Sequence, residues 1–428
     1  MLKAKKYVPL LLAAGFALSM VLFVERFWAP PKNMHHVDLY ARWYPARELL
    51  LHARDPYSPT VTAEIQDWIY GRPGEPQYRG SRPSDENRFA YPLYVVFLLA
   101  PTVTLSFAQV QVLFSWLLPV LVLGTVLLWI YALRWQCDRP LLATVVLLSF
   151  GNFPVIQSLY MQQPALLAAA LLAGVFASIN ARRLGMAGAL LALATIKPQL
   201  TFLLVPWLLL WSVSEWQVRK NLALGFGVMM AALLAGSEAL LPGWMLEFFD
   251  GLIAYQRYTG NLSVLALLFG RAGGLILTMA LLGALGVLAW RTRAAPPGSY
   301  KFQFTLGTVI VVTLVIAPTI YPTAQVILLP VIYWIAKDAK NIWAEGRWSR
   351  LMYTAVWFFI AWQWIAAAIF VSANGIAPSP WLDAHWMLVV EPIVLIPLSL
   401  TIFFGVRTRR LPTAGEVVEV GAAAVNSN

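Results

Sequence analysis

The sequence predicts an all-α polytopic membrane protein, and three observations carry that prediction. Of its 428 residues, 60% are hydrophobic and 12% charged, where a soluble chain carries about 25% charged residues. Apolar stretches approaching bilayer thickness recur from one end of the chain to the other. The Lys and Arg residues gather in the short joints between those stretches, the pattern of loops that face an anionic cytoplasmic leaflet. The formal net charge of +11 therefore needs no nucleic acid to explain it, and no nucleic-acid-binding module is present. A single cysteine, Cys137, excludes an intrachain disulfide and a CxxC metal site.

About thirteen stretches qualify as spans in a hydropathy window: 8–24, 89–105, 110–133, 140–158, 164–180, 184–196, 199–212, 221–241, 273–290, 303–318, 324–336, 351–371 and 385–404. The first follows Lys3, Lys5 and Lys6 and lacks a small-x-small cleavage site, so it reads as a retained signal anchor with a cytoplasmic N-terminus. Arg134 with Arg139, Arg182 with Arg183, Arg219 with Lys220, Arg291 with Arg293, the stretch Lys337 to Arg350, and Arg407 with Arg409 and Arg410 mark cytoplasmic joints. Both termini are then cytoplasmic and the number of crossings is even, about 12. The stretch 89–105, broken by Pro92 and Pro101, is expected to be re-entrant or interfacial; otherwise Arg134 and Arg139 lie outside. Residues 1–410 form one transmembrane domain, and 411–428 read as a disordered cytoplasmic tail.

Two pairs of spans are short and broken by proline, at Lys197-Pro198 and at Tyr321-Pro322. Such breaks persist in a membrane where the freed backbone faces protein or a wet cavity, although ordinary helix ends capped by proline would look the same. The polar segment 25–88 is expected outside. Within it, Leu39, Trp43, Ala46 and Leu50 recur at helical spacing, which predicts an amphipathic helix over 40–51 lying at the membrane surface and stopped by Asp55-Pro56-Tyr57. A second short helix is predicted over 64–70, and 71–88, rich in Gly, Pro, Arg and Ser, reads as a mobile loop.

Short motifs along this framework resemble glycosyltransferase family 87, integral membrane enzymes of the GT-C superfamily. Asp38-Leu39-Tyr40, the helix after it and Asp55-Pro56-Tyr57 resemble the family's opening signature. Ala90-Tyr91-Pro92-Leu93 looks like its Tyr-Pro-Pro-Leu stretch, and Met161-Gln162-Gln163 like its Gly-Gln element. Ala194-Thr195-Ile196-Lys197-Pro198 is similar to its Lys-Pro turn, and Asn261-Leu262-Ser263 to its Asn-x-Ser element. Three departures stand out: Gln162 takes the glycine position, Ala165 replaces a frequent Asn, and Ala317-Pro318-Thr319-Ile320-Tyr321 replaces Ser-Pro-x-x-Trp, with Gln325 where a His is expected.

The resemblance implies transfer of a hexose, mannose first, from a polyprenyl-phosphate donor to a lipid or glycan acceptor on the extracytoplasmic face. It implies inversion and a GT-C fold with about 12 transmembrane helices. The partners are then the donor, the acceptor and membrane lipids, with no cofactor and no divalent metal. That chemistry needs a base, groups that stabilise the departing phosphate, and a lipid-accessible groove; no Gly-rich nucleotide loop is present.

Asp38 is the candidate base, and equally a candidate N-cap for the helix after it. Lys197 is a candidate phosphate partner, or a lysine snorkelling to an interface. Arg42, one turn after Asp38, suits either the phosphate or the acid. Gln163 and Asn261 are candidate sugar or phosphate contacts, or helix–helix ties. Tyr44, Tyr57 and Tyr91, with Trp43, suit sugar stacking or an interfacial belt. Glu247, Asp250 and Arg257 line a possible acceptor entrance or plain surface, and His35 and His36 suggest a metal site only weakly against a solvated loop. Broken helices and a cation at depth also describe a transporter or lipid flippase, and the missing His leaves room for a catalytically silent scaffold of a glycan pathway.

Overall fold

A computed structural model describes residues 7–25, 37–71, 87–259, 262–318, 321–372 and 392–408. Among them every regular element is helical. Four helices are long and apolar enough to cross a membrane: Phe107–Ala132, Trp216–Leu240, Val264–Thr292 and Arg347–Ser372. Shorter apolar helices pack among them, at Val8–Phe23, Pro164–Asn180, Leu184–Ala194, Leu204–Ser214, Tyr300–Ile316, Pro322–Lys337 and Leu395–Thr408. The protein is a polytopic membrane protein.

In chain order the helices are α1 (Val8–Phe23), α2 (Val37–His52), α3 (Pro59–Tyr70), α4 (Val95–Leu99), α5 (Phe107–Ala132), α6 (Arg139–Phe150), α7 (Phe153–Tyr160), α8 (Pro164–Asn180), α9 (Leu184–Ala194) and α10 (Pro198–Thr201). There follow α11 (Leu204–Ser214), α12 (Trp216–Leu240), α13 (Trp244–Thr259), α14 (Val264–Thr292), α15 (Tyr300–Ile316), α16 (Leu329–Lys337), α17 (Ala339–Ala344), α18 (Arg347–Ser372) and α19 (Leu395–Thr408). A 3-10 turn, Ala100–Thr102, follows α4, and a longer one, Pro322–Leu328, precedes α16.

Several sequence-based boundaries change. The stretch 140–158 is not one straight span: the chain breaks between α6 and α7 with a bend of 56°. Gly151 is pressed against Ala17 of α1, where a β-carbon would come within 2.7 Å of that residue's backbone. In 89–105 the helix is only five residues long, a rise of about 7 Å that cannot cross a bilayer. The pairs joined at Lys197-Pro198 and Tyr321-Pro322 are broken as expected, into α9, α10 and α11 and into α15, a 3-10 turn and α16.

The largest change concerns α2. It forms where a surface helix was expected, but Leu39, Tyr40, Ala41, Trp43, Ala46 and Leu49 are all buried, together with Asp38 and Glu48. Buried positions fall around its whole circumference, so α2 is packed inside the protein. Trp43 Nε1 donates to the Thr102 carbonyl at 3.2 Å and Arg47 Nε to the Val103 carbonyl at 3.2 Å, fixing it to the turn after α4. The second loop helix, α3, starts earlier than 64, because the Ser58 hydroxyl caps it by accepting from Val61 N at 3.3 Å. Most of the loop expected over 71–88 and the tail 411–428 lie outside the described residues.

Helices α9 and α12 meet backbone to backbone. A β-carbon on Gly188 would fall 2.0 Å from the Leu222 carbonyl oxygen, and one on Gly225 2.1 Å from the Gly185 carbonyl oxygen. Small residues let membrane helices approach this closely, where dispersion and weak backbone contacts replace a hydrophobic drive. The consequence for position is direct: α9 is only 11 residues long, about 16 Å, and its far end leads to Lys197.

The basic joints gather at the opposite end of the bundle from Lys197. Arg134 Nε donates to Asn180 Oδ1 at 2.8 Å, which sets that joint beside Arg182 and Arg183. Arg219 donates to the carbonyls of Trp211, Arg293 and Ala294 at 3.0–3.1 Å. Arg407 binds Glu345 Oε2 and the Tyr300 hydroxyl, each at 2.7 Å. The Arg219 bonds to Trp211 and Arg293 satisfy carbonyls at the C-terminal ends of α11 and α14 that would otherwise be orphaned.

Candidate functional site

Asp38 lies in the first turn of α2. Asp38 stands inside the helix, not before it, and its carboxylate accepts from Arg42 one turn on and from Gln163 of a distant turn, which sets aside the N-cap reading. Arg42 Nη1 donates to Asp38 Oδ1 at 3.1 Å and also to the Asp38 carbonyl at 3.1 Å. Gln163 Nε2 donates to Asp38 Oδ2 at 2.5 Å, and Lys197 Nζ donates to Gln163 Oε1 at 3.1 Å. A carboxamide has one donating and one accepting end, so here it bridges an anion and a cation, with both ends satisfied.

Gln163 and Lys197 are each brought by a break in regular structure. Gln163 ends the turn between α7 and α8, ahead of Pro164. The turn passes through Gln162, whose φ of 51° lies in the left-handed region. That conformation suits glycine and costs another residue about 1–2 kcal/mol. The Gln162 side chain offsets it by donating to the Gln111 carbonyl at 2.9 Å and to Ser115 Oγ at 3.1 Å. Lys197 sits between α9 and α10, and the turn before it is held by Tyr94, whose hydroxyl meets Thr195 Oγ1 at 2.9 Å and donates to the Thr195 carbonyl at 3.1 Å.

Lys197 is 6% exposed, so its ammonium does not snorkel; it is held inside. An isolated buried charge would cost several kcal/mol, which the bridge to Asp38 offsets. Arg42 lies over the Tyr91 ring at 4.7 Å. Burial works against its charge, but Tyr91 and Asp38 outweigh it and hold the guanidinium above its ordinary range. Its Nε is buried with no hydrogen-bond partner among the described residues. Two cations thus share a single carboxylate, and one of them keeps a buried N–H without an acceptor. The site has the electrostatics to take up an oxyanion.

The other expected residues divide. Tyr91 is at the site, beneath Arg42. Tyr57 supports it from behind: its hydroxyl donates to the Tyr91 carbonyl at 2.7 Å, and burial pushes that phenol well above its usual range. Tyr44 faces away, donating to Glu64 Oε2 at 2.7 Å; burial and Glu64 push it up to about 12. Arg54 completes that cluster, with Glu48 at 2.7 Å and Glu64 at 2.8 Å, and so ties α2 to α3. Gln325, at the position expected for a His, points elsewhere and donates to the Ile393 carbonyl at 2.9 Å. Glu247 lies near enough to Tyr57 to act on it. Asn261, His35, His36 and the side chain of Arg257 lie outside the described residues. Among the described residues no cluster of His, Cys, Asp or Glu could hold a metal ion.

Residues 89–318 match the model of glycosyltransferase family 87. That is more than half of the chain. The protein belongs to glycosyltransferase family 87. No curated protein and no solved structure gives a match. This family 87 member is therefore a membrane glycosyltransferase, with a sugar donor and an acceptor as its substrates. The matched residues contain Tyr91, Gln163 and Lys197, whereas Asp38 and Arg42 precede them.

Sequence reasoning missed the bridging role of Gln163, the burial of α2, and the pair Tyr94 and Thr195. A glutamine directly after a position expected to be glycine, and just before proline, was the available signal for a tightly placed side chain at 163.

Proposed function

We propose that the protein transfers a hexose, mannose first, from a polyprenyl-phosphate donor to a lipid or glycan acceptor, with Asp38 as general base. The observation that carries this reading is the chain Arg42–Asp38–Gln163–Lys197: a buried carboxylate beside two cations that it only half neutralises. Each carboxylate oxygen has two acceptor sites, so Asp38 can still take the proton of an acceptor hydroxyl. That hydroxyl oxygen bonds to the anomeric carbon as the bond from that carbon to the phosphate oxygen breaks. The proton ends on Asp38 and the electron pair on the phosphate, whose charge Arg42 and Lys197 stabilise.

A single carboxylate acting as base, with no second carboxylate beside it among the described residues, supports inversion. Exposed apolar faces on α13 and α14, such as Leu246, Phe249, Leu267 and Phe269, suit a donor whose carrier is a prenyl chain. The basic joints at the far end of the bundle support a cytoplasmic orientation for that end, and hence an extracytoplasmic site. No resident metal enters this scheme. Family membership removes the support for a carrier, and the intact polar chain argues against a silent scaffold.

Transfer of radiolabelled mannose from polyprenyl-phosphomannose, in membranes with matched expression of wild type and Asp38→Asn, tests the proposal. Label reaching lipid or glycan only with wild type supports it. Equal transfer by both removes Asp38 from the chemistry, and no transfer by either moves the choice to another sugar.

A further inference from the structure

Tyr321, at the second proline-broken turn, meets Tyr255, a residue of no motif above. The Tyr255 hydroxyl, on α13, donates to the Tyr321 hydroxyl at 2.8 Å, joining α13 to the start of the 3-10 turn Pro322–Leu328. Tyr255 is half-buried and Tyr321 is 41% exposed, so the pair stands at the surface of the site. The helix that carries Tyr255 lies along the segment that carries Tyr91: Trp244 meets the Tyr94 ring edge-on with centroids 6.1 Å apart, and a β-carbon on Gly251, one turn before Tyr255, would stand 3.9 Å from the Phe89 carbonyl oxygen. From there the phenol acts on the Arg42 charge. Arg42 is the cation whose Nε is buried without an acceptor among the described residues.

We propose that Tyr255 and Tyr321 form a hydroxyl clasp that binds the phosphate of the donor together with Arg42, which makes them specificity-determining residues for the anionic carrier. This rests on the polyprenyl-phosphate reading above. A phenol both donates and accepts, and here the Tyr255 hydroxyl donates to that of Tyr321. A phosphate brings acceptor oxygens and no donors at full ionisation, so it takes one O–H from each tyrosine and the N–H of Arg42. A neutral alcohol would find no such advantage, because it adds a donor where donors are already in excess. The charge-assisted bonds are the stronger ones, so discrimination between phosphate and alcohol is the expected output of this arrangement.

Binding of farnesyl phosphate and of farnesol to purified wild type, Tyr255→Phe and Tyr321→Phe tests the clasp. Both substitutions keep the ring, and their thermal unfolding temperatures check that the fold is intact. Wild type should prefer the phosphate. Each variant should lose about 10-fold in affinity for farnesyl phosphate, the scale of one charge-assisted hydrogen bond, with farnesol binding unchanged. Phosphate binding as tight in both variants as in wild type would overturn the clasp and leave the donor reading standing. Equal loss of phosphate and farnesol would also overturn it, since it would mark the tyrosines as structural. A wild type that does not distinguish phosphate from alcohol would overturn the donor reading and the clasp with it.

Discussion

Lys197 fixes the orientation of Gln163. Its ammonium donates to the carboxamide oxygen at 3.1 Å, which turns the carboxamide N–H toward Asp38. Without the lysine, either end of the amide could face the carboxylate, and the wrong end would set two oxygens against each other. The lysine therefore acts on the acid it never touches.

Replacing Gln163 with Glu sets a second carboxylate against Asp38. Two close carboxylates cannot both ionise readily, so the pair titrates with a raised apparent pKa. The proposed base acts when deprotonated, so the acid limb of the pH–rate profile should move to higher pH in Gln163→Glu. A profile with an unmoved acid limb and a uniformly lower rate would mean that Gln163 does not act on Asp38.

Lys197→Met removes the proposed phosphate partner and leaves the Gln163 oxygen without its donor. The transfer rate should fall about 10²–10³-fold, the usual cost of losing one stabilising donor at a developing charge. Lys197→Arg should recover part of it. Initial rates at saturating donor make the comparison.

Gln162→Gly should fold and transfer sugar as wild type does. Relief of about 1 kcal/mol of left-handed strain offsets the two hydrogen bonds lost from the side chain. Gln162→Val keeps the strain, adds β-branching and loses the bonds, so it should unfold at lower temperature. Tryptophan fluorescence on heating reads both.

Gly188→Ala should destabilise the protein by about 1–3 kcal/mol or more, as overpacking does, because its β-carbon meets the Leu222 carbonyl. Gly227→Ala, on the same helix as Leu222 but with open space around it, should be neutral. Thermal unfolding in detergent separates them. Activity should fall with stability in the first, since α9 carries the chain to Lys197.

Tyr44→Phe should cost about 1 kcal/mol of stability through the lost bond to Glu64 and leave the KM for donor unchanged. A raised KM with unchanged stability would return Tyr44 to the site.

The membrane class and the breaks at Lys197-Pro198 and Tyr321-Pro322 were legible because each depends on local chemistry, hydropathy or proline. Short motifs singled out Asp38, Tyr91, Gln163 and Lys197 one by one, but their meeting is made by the tertiary fold. The bend between α6 and α7 was not, since Gly151 is needed there for contact with α1, a partner over a hundred residues away. The burial of α2 was hidden for a related reason. Its apolar residues show helical spacing, but what covers the remaining faces is supplied by the rest of the bundle. Tyr44 and Tyr57 looked alike in sequence and differ only in what lies opposite their hydroxyls.

The helix that carries Asp38 is held to the turn after α4 through Trp43 and Arg47, and both bonds end on backbone carbonyls, those of Thr102 and Val103. A carbonyl is present whatever side chain a residue bears. The two bonds therefore depend on positions 102 and 103 only through the shape of the turn, which the buried Thr102 hydroxyl supports by donating to the Leu99 carbonyl at 2.7 Å. A change there that keeps the turn keeps the anchor, whereas exchange of the tryptophan or the arginine on the donating side unfastens the acid from the cations that it serves.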